Sequence, residues 1–99
     1  MIRGTTPRLD FVIPFDADLL EKVFVTIAQN GIVITEKNID DCTCTGNVIS
    51  VKLTQEDTLK LACKQLTEIQ IRAKTRDGEA IASSIINEPT DCILKEGVI

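Results

Sequence analysis

The 99-residue sequence predicts an all-β fold, an antiparallel sandwich of about six or seven strands with one or two short helical turns. Three observations predict it. Apolar and polar residues alternate with a period of two in several short runs, as they do where one face of a strand is buried. Asn30-Gly31 and Asp77-Gly78 each join two such runs, and both pairs tolerate the positive φ that a tight hairpin turn demands. Turn signals also recur at short intervals along a chain whose 43% apolar content is enough for one core, so residues 1–99 read as a single domain. Short strands at this spacing with almost no helix point to an immunoglobulin-like sandwich.

The first strand is predicted in RLDFVIPF, residues 8–15, where Leu9, Phe11, Ile13 and Phe15 share a face. Pro14 lacks a backbone donor, so this strand ends there or lies at an edge. DADLLE, residues 16–21, offers an Asp cap and room for one turn only. In KVFVTIAQ, residues 22–29, Val23, Val25 and Ile27 oppose Phe24, Thr26 and Ala28, and Asn30-Gly31 returns the chain into IVITEK. NIDDCTCTGN reads as a loop or a short edge strand, and VISVKL, residues 48–53, places Ile49, Val51 and Leu53 on one face.

Thr54 and Asp57 then have the spacing of a capping box, which predicts one helical turn over Gln55 to Lys60. It serves as a corner between sheets, with Leu59 and Leu61 plugging the end of the core; a polar site on Gln55, Glu56 and Asp57 is the less favoured alternative. Residues 68–86 form a second hairpin in which Ile69, Ile71, Ala73 and Thr75 face inward. Arg72, Lys74 and Arg76 share the outer face, read as a solvated sheet face in preference to a small-anion patch. Pro89 breaks the run, and TDCILKEGVI is a short terminal strand or a tail. Its Ile93, Leu94, Val98 and Ile99 are expected to dock on their own domain or on a partner copy.

Composition narrows the function classes. Net charge is −4, and no basic stripe is interleaved with aromatics, so nucleic acid is a poor partner. No apolar run approaches the length of a membrane span, and the N-terminal stretch has no signal-peptide pattern, so cytoplasmic synthesis and retention are expected. The chain has no histidine, which removes Ser/His and Cys/His nucleophile pairs. Cys42, Cys44, Cys63 and Cys92 lack the spacing of a zinc knuckle and are expected as four free thiols in a reducing compartment, without disulfides. The Asp16/Asp18 and Asp40/Asp41 pairs sit in turn-like sequence, and the glycines are isolated from one another, unlike a phosphate loop. No catalytic, cofactor-binding or metal-binding residue is therefore expected, and enzyme activity has no support in the sequence.

The ordered set MIRGTTP, VIPFD, VFVTIAQNG, VKLTQEDTLKL, EIQIRAKTRDGEAIASSII and ILKEGVI resembles a family of short phage and prophage proteins of Gram-positive bacteria. The resemblance spans almost the whole chain and rests most on Leu53 to Thr58, Gln70 to Arg72 and Leu94 to Ile99, which suggests a complete protein. Cys42-Thr43-Cys44 and Asn87-Glu88-Pro89 depart from the pattern. The strand layout is also similar to the immunoglobulin-like N-terminal domain of phage baseplate upper proteins. These resemblances imply a structural or accessory role in the tail or baseplate, through contacts with phage proteins or further copies. The alternative they leave is a soluble module that binds a host or phage protein during infection.

Overall fold

A computed structural model describes residues 1–99. Its frame is set by hairpins written in the sequence. Strands β2 (Leu20–Gln29) and β3 (Ile32–Asn38) are joined by Asn30 and Gly31 at φ 52° and 74°, the left-handed values that the dipeptide was expected to supply. Strands β4 (Cys42–Thr45) and β5 (Val48–Lys52) form a second hairpin; β5 lies within the predicted strand of residues 48–53, and β4 is the edge strand that NIDDCTCTGN offers as an alternative to a loop. Strand β6 (Leu66–Thr75) turns at Asp77-Gly78 into β7 (Ala80–Ala82), and β1 (Arg8–Val12) precedes them all.

There are eight strands, one more than the upper expectation, because the strand after Asp77-Gly78 is divided. Strand β8 (Ile86–Pro89) pairs with the beginning of β6 and β7 with its end, both on the same side. Between them Ser83 Oγ accepts from the Ile71 amide at 3.2 Å while Gln70 Nε2 donates to the Ser83 carbonyl at 2.9 Å, so side chains replace part of the ladder.

The sheets run β1-β5-β4 and β3-β2-β6-β7, every pairing antiparallel. This order is that of an immunoglobulin sandwich: β1, β5 and β4 occupy the B, E and D positions, and β3, β2, β6 and β7 occupy C′, C, F and G. No strand takes the A position beside β1. The chain ahead of β1 is used at the opposite end of the molecule. Ile2 bridges Asp91, the Arg3 guanidinium donates to the Leu59 and Leu61 carbonyls at 3.0 and 2.7 Å, and the Thr58 hydroxyl donates to the Thr5 carbonyl at 2.8 Å.

The core lies between the sheets and is built by the predicted faces. Val23, Val25, Ile27, Ile69, Ile71 and Ala73 meet Ile49, Val51 and Leu53, all buried. Each large aliphatic side chain removed from water contributes about 1.5–3 kcal/mol, which is why strand register is fixed by these residues. Helix α1 (Gln55–Leu59) is the predicted corner. The Thr54 hydroxyl accepts from the Asp57 amide at 3.1 Å, the Asp57 carboxylate accepts from the Thr54 amide at 2.8 Å, and Leu61 is buried beyond it.

One expectation is overturned. Cys63 and Cys92 form a disulfide across a separation of 29 residues, leaving only Cys42 and Cys44 as thiols. The reason is tertiary: Lys64 donates to the Thr90 carbonyl and Thr90 to that of Gln65, which lays the segment after β8 against the entry to β6 and brings the two cysteines together. The bond also divides any four-thiolate metal set.

Candidate interaction surface

The two sheets are joined differently on their two sides. On one, β3 passes into β4 through a 3₁₀ turn at Ile39–Asp41, capped reciprocally by Asn38 and Asp41. On the other, β1 and β7 stand at the margins of their sheets with no connection between them, and a cleft of about 430 Å³ opens there. Phe11, Ile13 and Pro14 line it from one sheet, and Ile71, Ala73 and Ile81 from the other. This is where the A strand of the immunoglobulin order would lie.

Backbone hydrogen bonds define what the cleft offers. Leu53 donates to the Pro7 carbonyl and Ile13 to the Asn47 carbonyl, both at 2.9 Å, so every second residue from Pro7 to Ile13 turns its polar groups to β5. By antiparallel alternation, Arg8, Asp10 and Val12 turn theirs outward to the free margin. Across the cleft, Ser83 donates to Ile71 and Thr75 to Glu79, which leaves Ala80 and Ala82 facing outward in the same way. Two unpaired margins thus flank an apolar floor, an arrangement that can accept an extended segment by main-chain pairing and apolar side-chain burial.

The margin carries its own charges. Arg8 pairs with Asp10 at 3.1 Å, and the Ser50 hydroxyl donates to Asp10 at 2.5 Å. The Ser50 and Arg8 hydrogen bonds hold the Asp10 carboxyl below the usual carboxylate range, so it stays ionised as a guard on the strand. Val12, between this pair and Pro14, is largely exposed.

The other residues singled out in the sequence serve structure. Asp16 caps the turn at Ala17–Leu19 by accepting from the Asp18 amide, and Asp41 belongs to the Asn38 cap. Burial would raise the Asp57 carboxyl, but hydrogen bonds from Lys37 and Thr54 outweigh it and hold the group low. Lys37 Nζ lies 2.8 Å from it in a largely buried ion pair that ties β3 to α1. That partnership was missed because the two residues belong to different elements and nothing local links them. Cys42 and Cys44 are half-buried on β4, and burial, then Cys44 and Asp41, push the Cys42 thiol up to about 11, which makes it a poor nucleophile.

The C-terminal segment is held by its backbone while most of its apolar side chains are not covered. Gln55 exchanges hydrogen bonds with the Ile99 carbonyl and amide at 3.2 and 2.8 Å, Arg3 pairs with Glu96 at 2.6 Å, and Ile93 lies against Gly4. Leu94, Val98 and Ile99 remain exposed, so docking on the same domain involves the main chain and Ile93 but not the full apolar set.

No protein-family model, curated protein or solved structure matches this chain. Its functional reading therefore rests on its own surface and on the sequence motifs.

Proposed function

We propose that the protein is a phage or prophage structural or accessory component that works through protein–protein contacts, in the tail or baseplate region of the particle. The carrying observation is the apolar cleft between the free margins of β1 and β7, at the position an immunoglobulin sandwich fills with its own first strand. A domain that leaves this place open can receive a strand from a neighbour, which joins subunits by main-chain bonds with little demand on sequence. The phage assignment is supported by the motif resemblance in Leu53 to Thr58, Gln70 to Arg72 and Leu94 to Ile99. The Cys63–Cys92 disulfide fits a protein that does its work after leaving the reducing cytoplasm in which it is made.

Mass spectrometry of purified particles tests the assignment. Recovery at fixed stoichiometry to other virion proteins is the expected result. Recovery from infected-cell lysate alone overturns the virion role and leaves the soluble binding module.

A further inference from the structure

The outer face of the larger sheet carries a charge arrangement that the cleft does not explain. Lys22 on β2 stands directly opposite Lys74 on β6, and Phe24 directly opposite Arg72. Cross-strand partners have Cβ atoms roughly 4.5–5.5 Å apart, so the lysines repel each other in the isolated domain. None of the three cations forms an ion pair. The neighbouring β7 residue is Ala80, whose small side chain leaves a shallow depression beside them, and Phe24 is 40% exposed at its rim. Arg and an aromatic residue ringed by charge is a composition typical of contact surfaces.

The adjoining end of the same sheet has the opposite character. Leu19, which is 51% exposed, lines a shallow hollow with Asp77 and Glu79 of the β6–β7 turn and a single cation, Arg76, while Asp16, Asp18 and Glu21 flank it along the chain. None of these carboxylates forms an ion pair either. The two regions touch: Glu21 precedes Lys22, and the Arg76 amide donates to the Leu19 carbonyl at 3.0 Å.

We infer that a second copy of this chain docks here as a two-fold dimer, the acidic end of each copy against the basic sheet face of the other. The inference specifies one partner within the contact-making function proposed above. A two-fold interface must be self-complementary, with each patch meeting its opposite on the partner, and two adjoining patches of opposite sign satisfy that when the axis passes along their boundary. Leu19 of one copy then meets Phe24 of the other, burying an apolar pair inside a ring of ion pairs. A chain of net charge −4 repels its copies at long range, so the dimer depends on this local pairing.

Sedimentation equilibrium on the full chain tests the pairing, at low and high salt, with thermal melting to verify that variants fold. The wild type is expected to form a dimer that weakens by about tenfold or more between the two salts, since exposed charge pairs are screened. Lys22→Glu with Lys74→Glu should be monomeric, as should Asp18→Lys with Glu21→Lys. Mixed together, the two variants restore both pairings and should give a heterodimer. A wild type monomeric at every concentration overturns the pairing, as do a dimer indifferent to salt and a mixture that fails to associate. Titration with a glutamate-rich peptide is the control for a foreign acidic partner: a monomeric wild type that binds it also overturns the pairing. These readouts are independent of particle content, so either reading can fail alone.

Discussion

The two flanks of the sandwich are made from similar strands and differ because the chain joins the marginal strands of the two sheets directly on only one of them. Where β3 passes into β4, the crossing turn is held by the reciprocal Asn38–Asp41 cap at its start, and Lys37–Asp57 braces β3 to the helical corner. Where β1 faces β7 there is no crossing, and the same kind of apolar side chains are left lining a cleft. The difference shows that a strand margin is left open through topology, since nothing in the composition of β1 marks it as unpaired. Variants on the two flanks should therefore differ in what they disturb: stability on the crossed side, partner contact on the open one.

The largest effect is expected where the cleft meets the core. Ile71 is buried and reaches into the cleft wall, and Ile71→Asp places an unpaired charge in the core at a cost of several kcal/mol, comparable with the whole stability of a domain this size. Loss of the cooperative thermal transition is the expected outcome; an unchanged melt would mean that Ile71 does not point inward.

Next in size is the disulfide, which fixes the segment after β8. A loop of 29 residues closed in the unfolded chain corresponds to about 3–4 kcal/mol in the chain-entropy account. Cys63→Ser with Cys92→Ser should lower the unfolding free energy by that amount, and the melting temperature with it, and the oxidised wild type should titrate two thiols in denaturant. Four thiols would contradict the bond.

These two sites divide what the sequence disclosed from what it withheld. Ile71 was legible because alternation over Glu68 to Arg76 sets its face whatever the rest of the chain does, and the Thr54–Asp57 cap and the Asn30-Gly31 turn were legible for the same local reason. Cys63 and Cys92 were not, because their meeting is decided by the route of the chain past β8 and against the entry to β6. The Lys37–Asp57 pair was hidden likewise. The open cleft was the least legible feature of all: it depends on residues 1–7 running toward Asp91 and α1 instead of along β1, and both routes suit the same residues.

On the crossed flank, Asp57→Asn removes a 6%-exposed carboxylate and strands Lys37, for an expected loss of about 2 kcal/mol. The effect should depend on pH in one direction. The folded carboxyl is held below its ordinary value of 3.8, so its stabilisation is complete above that pH and disappears as pH falls through the folded value. Wild type and Asp57→Asn should then converge in stability in strong acid and separate toward neutrality. A gap that stays constant across the range would show that the ion pair contributes nothing.

The smallest effect on stability, and the sharpest on the comparison, belongs to β1. Leu9 and Phe11 turn their amides to β5, whereas Arg8, Asp10 and Val12 turn theirs to the open margin. Amide exchange in the isolated protein should therefore alternate along the strand, slow at residues 9, 11 and 13 and fast at residues 8, 10 and 12. Asp10→Pro keeps the β5 ladder, because on the main chain it removes only an outward donor, and the contacts with Ser50 and Arg8 lost with the exposed carboxylate should lower the melting temperature only slightly. The proposed strand addition in a particle makes a further demand: there the alternation should vanish, as the added strand bonds the outward amides, and Asp10→Pro should reduce incorporation. Fast exchange at Arg8, Asp10 and Val12 that persists in the particle would show that the cleft is left unfilled there and that the contacts lie elsewhere.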